Sequence, residues 1–244
     1  MHPLGIRRRA MAMLARGASV NATSIQLGIS RAAIRDWRDR GIERRGDAPR
    51  RGSLPGPEYA ALLGFYLGDG CLSQAARTTV LRVSCDRGYP GIMDDVENCI
   101  RAVHSDRPVH RVRAPGVIVV QNSWQQWPEL FPQHGPGRKH DRPIVLADWQ
   151  DEIVAAYPWD FLRGLLHSDG ARVNNWATRV VAGERRRYDY PRWQFVNASE
   201  DILGLCTRSL DRVGVPWRRS GPRTVSVSTR AGVAALDEHV GLKR

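Results

Sequence analysis

The chain has 244 residues, 42% of them hydrophobic, and a formal net charge of +12. That length allows one core or two halves plus a small module, and the charge points to a polyanionic partner. No apolar run reaches a membrane span. Cys71, Cys85, Cys99 and Cys206 show no C-x-x-C pairing and no histidine at zinc spacing, so they read as reduced thiols of a cytoplasmic protein.

Residues 1–43 read as a small all-α module. Arg7-Arg8-Arg9 and the Met/Ala/Leu stretch after it, interrupted by Arg16, make a basic helix rather than a signal peptide. A first helix is expected over Ala10–Arg16, ended at Gly17. Ser19 can cap a second helix through Ile25 and Leu27. Gly28-Ile29 makes a turn, and Ser30 caps a third helix, Arg31–Arg40, with Ile34 and Trp37 facing inward. Helix, glycine turn and Ser-capped helix is the helix-turn-helix layout. It leaves Arg31, Arg35 and Arg38, with Ser30, on an exposed face suited to a major groove. The stretch Leu27–Trp37 resembles the recognition half of transposase-like and regulator-like examples. Residues 44–57, rich in Arg, Gly and Pro, read as a basic linker.

Next comes a nine-residue phrase that occurs twice. Leu62-Leu63-Gly64-Phe65-Tyr66-Leu67-Gly68-Asp69-Gly70 returns as Leu162-Arg163-Gly164-Leu165-Leu166-His167-Ser168-Asp169-Gly170. An internal repeat sets the architecture before any single residue does. Pro57 and Pro158 fit first helical turns, and Gly70 and Gly170 read as left-handed caps. The small residues Gly64/Gly68 and Gly164/Ser168 share a face four apart, which lets two helix backbones cross closely. Asp69 and Asp169 then stand in the last turn, where the helix dipole disfavours an acid by roughly 0.3–1 kcal/mol. A divalent cation between them would offset that penalty and their mutual repulsion.

Between the copies, Thr79–Ser84 reads as a strand, Pro90–Val103 as a helix, Val117–Val120 as a strand and Trp124–Phe131 as helical. After the second copy the order returns: strand Trp193–Val196, a Ser199-capped helix to Val213, strand Thr224–Ser228 and a short helix Val233–His239. Arg185-Arg186-Arg187 reads as a hairpin tip. The fold class expected is α+β.

Both phrases resemble the signature of the LAGLIDADG homing endonuclease family. The resemblance covers roughly residues 58–244 and departs at the earlier family acid, where Leu67 and His167 stand. It implies two pseudo-symmetric α-β-β-α-β-β-α halves, 58–150 and 151–244, packed through their signature helices. It also implies Mg2+ (or Mn2+) held by Asp69 and Asp169, with the Gly68 and Ser168 carbonyls as further ligands. The chain has lysine only at Lys139 and Lys243, one per half at similar offsets from the acids. The resemblance makes them candidates to polarise the attacking water or stabilise charge on phosphate. Strand arginines Arg82, Arg111, Arg113, Arg192, Arg218, Arg219 and Arg223 are candidates for DNA contact.

The function expected is a sequence-specific, Mg-dependent endonuclease on double-stranded DNA, nucleoid-associated, for which a monomer suffices and a dimer is possible. The alternatives are a non-cleaving transcriptional regulator on the same fold and an RNA-binding role. Acids in both halves favour the nuclease; the N-terminal module favours the regulator.

Overall fold

The computed structural model describes residues 4–40 and 54–244. The chain divides into two compact units, 1–48 and 49–244. Among the described residues no helix is long and apolar enough to cross a membrane.

The first unit packs three helices: α1 (Leu4–Ala15), α2 (Val20–Leu27) and α3 (Arg31–Arg40). Helix α1 begins six residues ahead of the expected start, so the arginine run lies within it. The other signals act as read. The Ser19 side chain accepts the Ala22 N–H at 3.1 Å, and the Ser30 hydroxyl accepts the Ala33 N–H at 3.3 Å. Gly28 ends α2 with φ +65°, the left-handed conformation that glycine adopts without Cβ strain. Ile34 and Trp37 bury one face of α3 against Ala10 and Ile29, leaving Arg31, Arg35 and Arg38 exposed. Most of the expected 44–57 linker lies outside the described residues; its last two positions open the next helix.

The second unit repeats one order of elements twice. The first half holds α4 (Gly56–Asp69), β1 (Gly70–Ala75), β2 (Thr78–Asp86), α5 (Pro90–Val103), β3 (His110–Ala114), β4 (Val117–Ser123) and α6 (Trp127–Leu130). The second holds α8 (Pro158–Asp169), β5 (Gly170–Val181), β6 (Glu184–Val196), α9 (Glu200–Arg212), β7 (Arg218–Gly221), β8 (Thr224–Val227) and α10 (Arg230–His239). A 3-10 turn (Lys139–Asp141) and α7 (Asp148–Ala156) connect them. The division expected at 150/151 therefore falls inside α7, and the second half starts at Pro158. Each half is α-β-β-α-β-β-α, as expected, with antiparallel sheets ordered β1-β2-β4-β3 and β5-β6-β8-β7.

Strand alternation explains why each sheet has one packed and one open face. Leu72, Leu81, Val83, Cys85 and Val120 bury toward the helices in the first half; Trp193, Phe195, Val225 and Val227 do so in the second. The registers match: Gly70 pairs with Val83, and Gly170 with Phe195. Cys85 and Asn197, two residues beyond, therefore occupy equivalent places, as do Asp86 and Ala198.

The halves differ most in their first hairpins. β5 and β6 run 12 and 13 residues, against 6 and 9 for β1 and β2. β8 pairs β6 only over Trp193–Val196, so the distal part of the hairpin is a two-stranded ribbon. Its turn is Ala182-Gly183, both at positive φ, the geometry of a two-residue hairpin loop. Arg185, Arg186 and Arg187 lie in β6 beside that turn rather than at the tip, because the register closes at Val181–Glu184.

Helices α4 and α8 pack along their small-residue faces, as the spacing predicted. A Cβ on Gly64 would meet the Phe161 carbonyl oxygen at 2.5 Å, and one on Gly164 the Ala61 carbonyl oxygen at 2.1 Å. The expected left-handed caps do not form. Gly70 and Gly170 are extended, at φ −91° and −96°, because each already belongs to the following strand. Glycine is needed there for closeness instead: a Cβ on Gly70 would stand 2.4 Å from the Tyr66 Cα.

Candidate active site at the helix crossing

The close crossing carries the last residues of α4 and α8, so Asp69 and Asp169 emerge at one end of the helix pair. They are near enough for the charge of Asp69 to raise the Asp169 carboxyl. An added Cβ on Gly68 would meet the Ser168 Cβ at 2.3 Å and lie 3.3 Å from Asp169 Oδ2, so glycine at this position lets the helices close up beside that carboxylate. Burial, then the charge of Asp69, pushes Asp169 up to about 6 against the pull of Asn197, Lys139 and Lys243. Crowding by the crossing helices also raises Asp69, although that residue keeps solvent access; Lys243 and Lys139 oppose the shift.

Lys139 and Lys243 come to the same end. Lys139 Nζ donates to the carbonyls of Tyr66, Leu67 (3.1 Å) and Gly68 (2.9 Å), the unsatisfied acceptors of the α4 C-terminus. An ammonium has three hydrogens, so all of them are engaged. Lys243 Nζ donates to the Ser168 carbonyl at 3.0 Å. Its strand of chain is pinned by Gly91 N–H to the Arg244 carbonyl (2.7 Å) and by a His167–Gly241 contact of 3.2 Å. Burial lowers both amines, Lys139 to about 8, while the two aspartates work the other way. Neither lysine forms an ion pair within 4 Å with Asp69 or Asp169 among the described residues.

Each acid borders its own cavity, shared with the lysine of the other half. A space of about 490 Å³ is lined by Asp169, Asn197, Arg138, Lys139 and Arg142. One of about 160 Å³ is lined by Asp69, Cys85, Asp86 and Lys243. Asn197 was not anticipated: its Nδ2 donates to Asp169 Oδ2 at 2.7 Å. Only strand register reveals it, since it lies far along the chain from Asp169.

The donor set fits a hard divalent cation. Two carboxylates share a crowded site without an ion-pair partner among the described residues, and Mg2+ is characteristically held by one or two carboxylates plus substrate phosphate oxygens. Among the described residues no group of three or more His, Cys, Asp or Glu side chains forms a self-sufficient metal site. The Gly68 and Ser168 carbonyls, expected as ligands, each accept a lysine hydrogen bond.

The candidate arginines divide by face. Paired residues of an antiparallel ladder share a face. Arg82 (opposite Gln121), Arg192 (opposite Val173) and Arg218 (opposite Ser226) lie on the open faces. Arg192 Nε is buried without a hydrogen-bond partner in the described structure. Arg223 is exposed in the β7–β8 turn. Arg111, Arg113 and Arg219 sit instead on the helix side. There Arg111 binds Asp94 (2.6 Å) and Glu97 (2.9 Å) of α5, and Arg219 binds Glu200 of α9. Parity along β3 and β7 explains the difference, because Val120 and Val225, their partners, face the core. The ribbon adds Arg179 and Arg186 to the open side, while Arg187 stacks on the exposed Trp176 at 5.3 Å on the other.

No family model and no curated protein sequence matches the chain. Among solved structures it is similar to mesophilic variants of the homing endonuclease I-DmoI, at 12% identity, covering 76% of this chain and 96% of that one, TM-score 0.49. It is also similar to the I-SmaMI LAGLIDADG homing endonuclease bound to cleaved DNA (10% identity, 75% and 83% covered, TM-score 0.48). A third is the LAGLIDADG meganuclease I-AabMI bound to uncleaved DNA (10% identity, 74% and 82% covered, TM-score 0.47).

Proposed function

We propose that the chain is a divalent-metal-dependent endonuclease that hydrolyses phosphodiester bonds of double-stranded DNA at a specific site. One observation carries this reading: two like-charged carboxylates converge at the ends of crossing helices, bordered by lysines yet paired with neither. Such a pair is costly for stability and earns its place by holding a cation against phosphate. A bound Mg2+ or Mn2+ would supply a nucleophilic water and neutralise charge on the phosphate.

In the hydrolysis, the water oxygen bonds to phosphorus and one P–O ester bond breaks. The water gives up a proton, and the departing oxygen takes one up. Asp69 and Asp169 would hold the cation, and Asn197 fixes the Asp169 carboxylate. Lys243, with two hydrogens unengaged among the described residues, can donate to a phosphate oxygen. Lys139, with none free, contributes positive charge. Arg82, Arg192, Arg218 and Arg223 bring phosphates and base edges to the open sheet faces. In the N-terminal unit, Ser30, Arg31, Arg35 and Arg38 suit a second DNA contact through α3. Both acids come from one chain, so a monomer suffices.

The test begins with a duplex selected by the protein from a random-sequence pool. With Mg2+ or Mn2+ the chain should cut it, and Asp69→Asn or Asp169→Asn should abolish cutting while binding persists. A wild-type chain that binds this duplex tightly and never cuts it with either ion is a regulator instead.

A further inference from the structure

We propose that the two half-sites are unequal, so that one strand is cut first: the Asp169–Asn197–Lys139 pocket is the fast site and the Asp69–Cys85–Asp86–Lys243 pocket the slow one. This rests on the endonuclease reading above and goes beyond it by assigning the difference to named positions.

The first difference is the group that holds each acid. Asn197 is locked on three sides: Nδ2 to Asp169 Oδ2 (2.7 Å), Oδ1 from the Ser199 N–H (2.8 Å) and its own N–H to the Arg223 carbonyl (3.1 Å). It therefore orients the Asp169 carboxylate through Oδ2 and leaves Asp169 Oδ1 for other work. At the equivalent place in the first half stands Cys85, whose thiol is a weak donor and points toward the Val83 carbonyl at 3.9 Å. No hydrogen-bond donor in the described structure reaches the Asp69 carboxylate.

The second difference is charge. Around Asp169, the lining places Lys139 and Arg142 against a single acid, while Arg138 is paired with Asp141 at 3.4 Å. Around Asp69, Lys243 faces two acids, because Asp86 stands where the second half has Ala198. The spaces differ too, about 490 Å³ against about 160 Å³. Each cut is the same balanced hydrolysis, and negative charge builds on the phosphoryl oxygens at its transition state. Fixed positive charge lowers that barrier, and an extra carboxylate raises it. Loss of one preorganised stabilising group typically slows such steps about 100-fold or more. Strand rates differing by about tenfold or more are therefore expected.

The experiment follows each strand of a selected duplex, labelled separately, in Mg2+. Wild type should accumulate nicked duplex, with the nick in one strand. Asn197→Ala should slow that strand and bring the rates together, and the double variant Cys85→Asn, Asp86→Ala should speed the lagging strand. The strand ratio is its own control, because a folding defect slows both strands alike. Independently of turnover, calorimetric titration of the protein–duplex complex with Ca2+ should show binding that Asn197→Ala weakens, because Asn197 orients the Asp169 carboxylate. Equal strand rates in wild type, or equal slowing of both strands by Asn197→Ala, overturn the inference while the endonuclease reading stands. A duplex left uncut overturns both.

Discussion

Gly164→Ala tests the frame on which the site depends. An added methyl would lie 2.1 Å from the Ala61 carbonyl oxygen and 2.8 Å from the Phe65 nitrogen, where ordinary contact begins near 3.4 Å. Both obstacles are backbone, so no side chain can give way, and α4 and α8 must separate by about 1 Å, given the stiffness of packed interiors. Overpacking costs about 1–3 kcal/mol, and this site belongs at the upper end. The better helix propensity of alanine returns about 1 kcal/mol, for a net loss of about 2 kcal/mol. In a unit of this size that lowers the melting temperature by about 4–8 °C. Gly204→Ala in α9 is the control: its methyl meets only the mobile tip of Arg208, at 3.3 Å. That variant should gain up to about 1 kcal/mol from propensity alone. Thermal and urea unfolding of the two proteins should therefore move in opposite directions. Cutting by Gly164→Ala should also fall, by about 100-fold for an acid displaced by about 1 Å. A Gly164→Ala protein that melts at or above wild type would refute the close-crossing argument.

Three other outcomes are expected. The Asp169 carboxyl is raised from 3.8 to about 6, so the folded state binds that proton more tightly than the unfolded chain. Stability is then highest, for this group, below pH ~4 and is lost as pH rises through ~6. Asp169→Asn should consequently melt above wild type at pH 8 and converge with it in acid; the reverse order would contradict the cause assigned. Arg192→Ala and Arg218→Ala should each reduce the slope of log affinity against log salt by about 0.9, whereas Arg111→Ala and Arg219→Ala should leave it unchanged. A slope change at Arg111 as large as at Arg218 would contradict the division by face. Removing residues 1–43 should weaken binding to the selected duplex without moving the cut; a shifted cut position would show that the module sets register.

The repeated phrase was enough to predict the crossing helices, because small residues four apart constrain backbones directly. The doubled order of strands and helices followed from hydrophobic alternation and caps such as Ser199. What local pattern could not supply was side. Arg111 and Arg219 look like any strand arginine, and only pairing with Val120 and Val225 puts them against α5 and α9. Asn197 escaped for the same reason: its relation to Asp169 is one of register, two residues beyond the Gly170–Phe195 pair. α7 and the long ribbon were missed because a short amphipathic helix and exposed mixed strands carry weak periodicity.

The lysines show how the acids are tolerated at all. A helix C-terminus presents bare carbonyls and a negative dipole, the worst end for an aspartate. Both signature helices end so, and the chain's two lysines go to those carbonyls rather than to the carboxylates. Lys139 satisfies three acceptors of α4, and Lys243 one of α8, so the backbone's partial charge is answered without neutralising either aspartate. A direct lysine–aspartate pair would have closed the acids to a cation. Local rules broken at two matching helix ends, with compensation supplied from distant segments, are what a site kept for chemistry looks like. On this view Lys139→Met should lower stability by uncapping α4 as well as lowering cutting. A variant that loses cutting with its unfolding transition unmoved would assign Lys139 to catalysis alone.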